Sequence, residues 1–288
     1  VSAPEPPSRV LERSPHRARF LQHNRDTRDT AKARALLDAE WRYLGPLLQG
    51  RPQPRVLDLA CGSGPFTFAW AERGAEAVGI DFDRGLLAAA RDRLRPAARA
   101  PGGGAGREPA FCGGDATRLP FRTAAFDLVF SNSLLEHVPD WRAVLAETSR
   151  VLKPGGIAVI YTTNRWCPFQ QEVNGFPLYS WLPGPVRRRV LAWIMAHRRD
   201  LVNWTDYPAI HWFSFPGMRR AFAAAGLRPV DRIDLMAERP GGGRRRLAAA
   251  MRRAPALKLP YYVYAISMAM YGIREPAASA PRPGPGTR

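Results

Sequence analysis

Arg55-Val56-Leu57-Asp58-Leu59-Ala60-Cys61-Gly62-Ser63-Gly64 decides the fold. Val56, Leu57 and Leu59 form a short apolar run of strand type, and Gly62-Ser63-Gly64 ends it. A helix-like segment follows, from Pro65 through Phe66, Phe68, Ala69 and Trp70. Glycine has no Cβ, so a turn built from it lets a ligand approach the main chain closely. The N-terminus of the next helix offers unpaired N–H groups beside that ligand. One strand later, in Val78-Gly79-Ile80-Asp81, a carboxylate stands about 20 residues on, where it can accept both hydroxyls of a ribose. The pattern predicts a cofactor that carries a nucleoside. A dinucleotide fingerprint needs G-x-G-x-x-G. Here Thr67 holds the third position, which argues against a pyrophosphate cradle.

Outward from this turn, strand and helix signals alternate. Strands are expected near 55–60, 76–81, 110–113, 126–131 and 156–162, with helices near 65–73, 84–94 and 141–151. Such alternation marks a parallel sheet covered on both faces. Upstream, residues 16–48 read as helical, with Leu36, Leu37, Glu40, Trp41 and Leu44 recurring at helical spacing. Downstream, Ser214 to Ala225 reads as a helix stopped by Gly226, residues 228–236 as a sixth strand, and Ser267 to Arg274 as the last strand. Arg95 to Pro109 reads as a flexible surface loop and Arg239 to Arg246 as a mobile basic one. The Pro-rich segments 1–8 and 276–288 read as disordered tails.

The glycine turn resembles motif I of class I S-adenosylmethionine-dependent methyltransferases in its D-x-x-C-G-x-G form, and the resemblance continues in order along the chain. Gly114-Asp115-Ala116, ahead of Leu119-Pro120-Phe121, is similar to the family's adenine-binding turn. Phe126-Asp127-Leu128-Val129-Phe130-Ser131-Asn132 resembles the fourth strand. Leu134-Leu135-Glu136-His137-Val138 resembles the loop and helix over the cofactor, and Leu152-Lys153-Pro154-Gly155-Gly156 the turn before the fifth strand. The motifs span residues 55–163 and are nearest the UbiE-like, type 11 group. Ala60 departs from the glycine that many members carry.

The resemblance implies an α/β fold: a Rossmann-like seven-stranded, mostly parallel sheet with helices on both faces and an aromatic-rich α-helical insert after strand five. It implies S-adenosylmethionine as cofactor, held by Asp58, Ala60, Cys61, Gly62, Gly64, Asp81, Phe82, Asp115, Ala116, Ser131 and Asn132. It casts the N-terminal helix as a lid over the cleft, or simply as a cover for one sheet edge. The organisation expected is an N-terminal helical segment over 9–54, a cofactor-binding core over 55–163, a substrate cap over 164–213 and the rest of the core over 214–275.

Composition narrows the setting. A chain of 288 residues with 45% hydrophobic residues can bury a full core. Cys61, Cys112 and Cys167 form neither a disulfide framework nor a metal-ligand spacing, so no metal is expected and a reducing, cytoplasmic setting is the simple reading. The first residues hold no apolar stretch of signal-peptide type, and no apolar run reaches the ~20 residues of a spanning helix. The formal charge of +18 comes almost wholly from arginine, since only Lys32, Lys153 and Lys258 are lysines. Such an excess suits an anionic membrane or an anionic substrate, or it is a solvated surface.

The substrate question falls on Asn164 to Phe213, a stretch far longer than a plain crossover needs. It is aromatic-rich, and Trp166, Phe169, Tyr179, Trp181 and Tyr207 are the candidate acceptor contacts. The same rings could equally form the cap's own core. From Pro185 to Arg199, Val186, Val190, Trp193, Ile194 and His197 share a helical face flanked by Arg187, Arg188, Arg189, Arg198 and Arg199. That pattern suits peripheral contact with an anionic membrane face, or packing on the sheet. Leu257 to Ile273 is a second amphiphilic stretch.

Methyl transfer needs a base only if the acceptor arrives protonated, and His137 and His211 are the candidates; each could instead be a structural histidine. The Pro-Pro-aromatic tetrapeptide of adenine-amine methylation is absent, since Ser131-Asn132-Ser133-Leu134 stands there. No RNA-binding signature appears either. The expectation is a methyltransferase acting on a hydrophobic or lipid-like small molecule at oxygen. A non-catalytic binding member of the fold and a nucleic-acid methyltransferase are the alternatives.

Overall fold

Alternate residues of the central strands turn to opposite faces, and both faces are apolar, so the sheet must be covered twice. The computed structural model describes residues 30–97, 107–170, 172–202, 209–238 and 243–275. Seven strands form one sheet: β1 (Arg55–Leu59), β2 (Glu76–Asp81), β3 (Ala110–Gly113), β4 (Phe126–Asn132), β5 (Leu152–Thr163), β6 (Leu227–Val230) and β7 (Ser267–Arg274). Their order is β3-β2-β1-β4-β5-β7-β6. Neighbours from β3 to β5 run parallel, and β7 runs antiparallel between β5 and β6. The last strand lies where the sequence places it.

The helices among the described residues are α1 (Thr30–Leu47), α2 (Pro65–Glu72), α3 (Arg84–Ala97), α4 (Trp141–Val151), α5 (Gly184–His197), α6 (Phe215–Ala224), α7 (Arg232–Ala237), α8 (Gly243–Arg253) and α9 (Leu259–Tyr264). On one sheet face, Leu37 and Leu44 of α1 and Trp70 of α2 pack on Val56, Phe130, Tyr161 and Tyr271. On the other, Val144 of α4, Phe215 and Phe222 of α6 and Tyr262 of α9 pack on Leu57, Val129, Ile160 and Met270. Helix α1 is therefore a cover of the sheet, with Leu37 and Leu44 wholly buried. The part of its expected range before Thr30 lies outside the described residues. So do the tails 1–8 and 276–288, residues 239–242 and residues 98–106 of the expected Arg95–Pro109 loop; that loop does not start at Arg95, because α3 runs on to Ala97.

Two expectations change. The sixth strand does not run through 236; it stops at Val230, and α7 starts at Arg232. Asp231 is the reason. Its carboxylate accepts from the Asp234 N–H at 2.9 Å, and Asp234 accepts from the Asp231 N–H at 3.1 Å, a reciprocal cap that favours a helix start. The basic segment is not a loop beyond residue 242, because Gly243–Arg253 is helical.

The insert, Asn164 to Phe213, has a small core of its own in Val173, Tyr179, Ile194, Val202, Ala209 and Trp212. It is tied to the sheet at its first residue. The Asn164 side chain donates to the carbonyls of Tyr262 and Ala265, both at 2.6 Å. Tyr262 in turn donates to Asp231 at 2.7 Å. Buried Lys258 reaches Asp231 at 2.9 Å and Asp234 at 2.7 Å, and Arg219 reaches Asp234 at 2.7 Å. One buried carboxylate, Asp231, thus joins the cap of α7, α9 and the root of the insert.

Removing one member of a buried ion network leaves the others charged and short of partners. Asp231→Ala should therefore destabilise the fold by about 3 kcal/mol or more. Glu275→Ala, which breaks only the exposed pair with Arg228, should change stability by less than about 1 kcal/mol. Urea unfolding of both variants checks the contrast.

Candidate functional site

Four adjacent parallel strands deliver the expected cofactor residues to one edge. In the order β3-β2-β1-β4, Asp115, Asp81, Gly62 and Asn132 stand at or just past the carboxyl ends. With strands roughly 4.8 Å apart, this edge is about 14 Å wide. The reversal of strand order at β1 and β4 opens a crevice there, the usual ligand position in open α/β sheets.

The turn after β1 bends through three left-handed residues, Ala60 (φ 54°), Gly62 (φ 55°) and Gly64 (φ 81°). Gly64 is required twice over, since a Cβ there would lie 2.6 Å from the Phe111 ring. Beside Gly62 the space is open, and an added Cβ would meet nothing nearer than Leu86 at 3.9 Å. The Gly62 N–H donates to Asp81 Oδ2 at 2.9 Å, and the Asp83 N–H to Asp81 Oδ1 at 2.8 Å. The Gly64 N–H is taken by the Cys61 carbonyl, Pro65 has none, and the Thr67 N–H serves Asp58. The helix N–H groups expected to face a ligand are thus largely spent inside the turn. An edge of this kind suits a cofactor without a phosphate at this position.

Asp58 is buried and accepts from Thr67 Oγ1 at 2.6 Å. Burial pushes its pKa up to about 7, and nearby Asp81 adds to the rise. Asp81 is raised to about 6, again by burial, against the pull of its backbone donors. The Cys61 side chain is buried against Gly79, so its contribution at the edge is its main chain. Asp115 is exposed and accepts at Oδ1 from both the N–H and the hydroxyl of Thr117, each at 2.8 Å. Ala116 packs on the core beside it, and Phe82 stands partly in solvent. Ser131 Oγ is buried and has no hydrogen-bond partner among the described residues, and Asn132 is half-buried. An orphaned hydroxyl, open space beside Gly62 and two carboxylates spaced along the edge fit a nucleoside joined to an amino acid.

The two candidate bases meet in one place. His137 lies in the loop after β4, and the His211 N–H donates to the Glu136 carbonyl at 3.1 Å in that same loop. The Thr163 hydroxyl donates to the His211 carbonyl at 2.9 Å. The His211 pKa is lowered, mainly by burial, although the carbonyls of Pro139 and Val138 oppose the shift. Its Nε2 is buried without a hydrogen-bond partner among the described residues. Glu136, which sequence reasoning treated only as part of a motif, is buried and accepts from Thr162 Oγ1 at 2.8 Å. Burial raises it to about 7. Glu172, from the insert, is raised by burial and by Glu136, while His137 favours its charged form. Two carboxyls and two imidazoles therefore gather where β4, β5 and the insert meet.

The methyltransferase domain family matches residues 57–160. A demethylmenaquinone methyltransferase from Streptomyces griseus is 30% identical over 176 residues, which are 59% of this chain and 70% of that protein. The chain belongs to the class I S-adenosylmethionine-dependent methyltransferases. A demethylmenaquinone methyltransferase from Beutenbergia cavernae is 38% identical over 151 residues, 52% of this chain and 54% of that protein. This class I methyltransferase spans about half the length of the first curated relatives it matches. The solved S-adenosylmethionine-dependent methyltransferase from Mesorhizobium loti shares its fold, with a TM-score of 0.50 at 20% identity over 82% of this chain and 98% of that one. S-adenosylmethionine is the cofactor of the family, and the edge described above fits it.

The aromatic candidates of this methyltransferase divide. Tyr179 is wholly buried in the core of the insert and donates to the Arg187 carbonyl at 3.2 Å, so it shapes the cap from within and offers no surface to an acceptor. Trp166 is half-buried with its ring 5.8 Å from that of Tyr262. Phe169 and Trp181 stand in solvent. Tyr207 lies outside the described residues.

The raised carboxyls carry a pH signature. Asp58, Asp81 and Glu136 keep their protons when folded up to about 6 or 7, whereas unfolded carboxyls lose theirs near about 4. Between those limits the folded state binds more protons, so stability falls as pH rises. Asp58→Asn removes one such group. The fall in unfolding free energy from about pH 4 to about pH 8 should shrink by on the order of 2–4 kcal/mol, as followed by urea unfolding at the two pH values.

Proposed function

We propose that the chain transfers a methyl group from S-adenosylmethionine to a hydroxyl of a hydrophobic, quinone-like lipid. The observation that carries this reading is the acid–base cluster of Glu136, His137, Glu172 and His211, set between the cofactor edge and the aromatic insert. The names of the relatives, which refer to demethylmenaquinone, favour an acceptor of that class.

Bound S-adenosylmethionine supplies an electrophilic methyl on a positively charged sulfur. The chain's own work is alignment and proton handling. Asp81 would accept the ribose hydroxyls, the open space at the Gly62 turn would leave room for the amino-acid end, and Asp115 with the Ala116 N–H would meet the adenine. Holding an acceptor oxygen in line with the methyl supplies most of the acceleration. A hydroxyl must lose its proton as it attacks, and His137, half-buried beside Glu172, takes it at a ring nitrogen. The carboxylates of Glu172 and Glu136 favour the imidazolium that forms, as an acid partner does for any histidine base. Trp166 forms part of the apolar wall.

Calorimetry should show micromolar binding of S-adenosylhomocysteine. Asp81→Ala should weaken it by about 100-fold or more, because two charge-assisted hydrogen bonds are lost. No binding by the wild type would refute the reading at its root. With labelled donor and a quinol lipid, the product methyl should appear as a methoxy group by NMR; a ring-carbon methyl would reassign the acceptor atom. His137→Gln should leave donor binding intact and lower kcat by about 100-fold or more. A wild-type rate that rises with pH as the base loses its proton should flatten in this variant, as pH–rate profiles of the two would check.

A further inference from the structure

Large apolar side chains left in water are concentrated on one part of this molecule. Among the described residues, all those recorded as exposed, apart from Trp41 and Phe82, belong to the insert or to the stretch from Leu247 to Ile266. Two of these segments are stitched together. The Leu178 N–H donates to the Pro168 carbonyl at 2.8 Å, which sets Leu178 beside Phe169. Trp181 Nε1 donates to the Trp166 carbonyl at 3.2 Å, and the Trp166 ring packs on Tyr262. Asn164 holds the carbonyls of Tyr262 and Ala265, and Ala265 is flanked by Tyr264 and Ile266. The result is a patch of Phe169, Leu178, Trp181, Tyr264 and Ile266 with Phe169 65%, Trp181 53% and Tyr264 74% exposed.

The charge around the patch has one sign. Arg165 adjoins Trp166, Arg187 donates to the Ser180 carbonyl next to Trp181, and Arg188 and Arg189 are exposed on the same turn of α5. In the described part of the insert the acidic residues are Glu172, which belongs to the cluster above, and Asp200, which is paired with Arg198. From Gly243 to Arg274 there is none. No helix among the described residues is long and apolar enough to cross a membrane, so apolar contact would be confined to a surface.

We propose that this patch docks the protein on an anionic lipid bilayer. Tryptophan and tyrosine prefer the headgroup level, where a ring meets hydrocarbon and its polar atom meets water. Arginines beside them add attraction to anionic headgroups. The insert springs from the carboxyl end of β5, the end at which Gly62 and Asp81 stand. A docked chain therefore turns its cofactor edge toward the membrane, and an acceptor lipid reaches His137 without crossing water. The docking deepens the lipid-acceptor reading and rests on it only for its purpose, since the patch stands by itself.

The test is flotation of the full chain with vesicles of phosphatidylglycerol and phosphatidylcholine, and with phosphatidylcholine alone. Wild-type protein should float with the anionic vesicles and far less with the neutral ones. The double variant Tyr264→Ser with Ile266→Ser, and Trp181→Ser separately, should each reduce that binding by about tenfold while S-adenosylhomocysteine binding stays at the wild-type level. Undiminished flotation of both variants would overturn the proposal, as would wild-type protein that stays in the buffer. Sedimentation velocity supplies a further check: a wild-type dimer that the double variant lacks would make the patch a contact between copies and would also overturn it. Transfer to a short-chain, water-soluble quinol separates the two claims. Transfer without flotation ends the docking alone, and flotation without transfer to any acceptor ends the lipid-methylation reading alone.

Discussion

The Asp81 carboxylate is held between two main-chain N–H groups, one from Gly62 and one from Asp83, and the cofactor edge depends on that arrangement. It couples the turn after β1 to the end of β2. It adds a side-chain tie to the main-chain bond by which the Cys61 N–H donates to the Ile80 carbonyl at 3.1 Å, and it holds Gly62 in its left-handed conformation, φ 55°. These bonds, with a further main-chain donor at Phe82, orient the carboxylate. Asp58 supports the arrangement from beneath by tying the end of β1 to Thr67 in the first turn of α2.

A second constraint acts at the other end of the cleft. The insert has its own core and is tied to the sheet at both ends, by the bonds of Ile210 and His211 to the Glu136 carbonyl at one and by Asn164, with buried ions behind it, at the other. Asn164 grips the chain around Tyr262, and Tyr262, Lys258 and Arg219 converge on Asp231 and Asp234. These charges are worth little as net stability, since burying them is costly. Their effect is to give the cap one position relative to the sheet. That position is what brings Glu172 of the insert against His137 and Glu136 of the core.

The donor half of this site was readable in the sequence because it is made locally. The residues that the sequence assigns to the cofactor lie at or near the ends of β1 to β4, and those strands announce themselves as short apolar runs closed by small or polar residues. Even the departure at Ala60 has a local meaning: the residue adopts φ 54°, a conformation for which glycine is the natural choice. The acceptor half was not readable, because its chemistry arises from packing. Glu136 is an ordinary loop glutamate until Thr162 and the insert bury it. Tyr179 looks like a pocket residue until the fold encloses it. The sixth strand reads too long in the sequence for a related reason: Val230 and Ile233 fall in one apolar run, and only the reciprocal cap between Asp231 and Asp234 divides strand from helix.

Burial also links the two halves energetically. Burial raises Asp81 in the folded chain to about 6, against the pull of its main-chain donors. Two ribose hydroxyls donating to it would replace the missing water and favour the charged form. On the proposed reading, cofactor binding and carboxylate ionisation would assist one another, and what costs stability in the free chain would become affinity in the complex. Glu136 follows the same logic on the acceptor side. Raised to about 7 by burial, it gains its charge most readily when a cation forms beside it, and a histidine that has just taken a proton is such a cation. The fold thus places buried carboxyls at the two points where the proposed reaction would bring hydrogen-bond donors or positive charge.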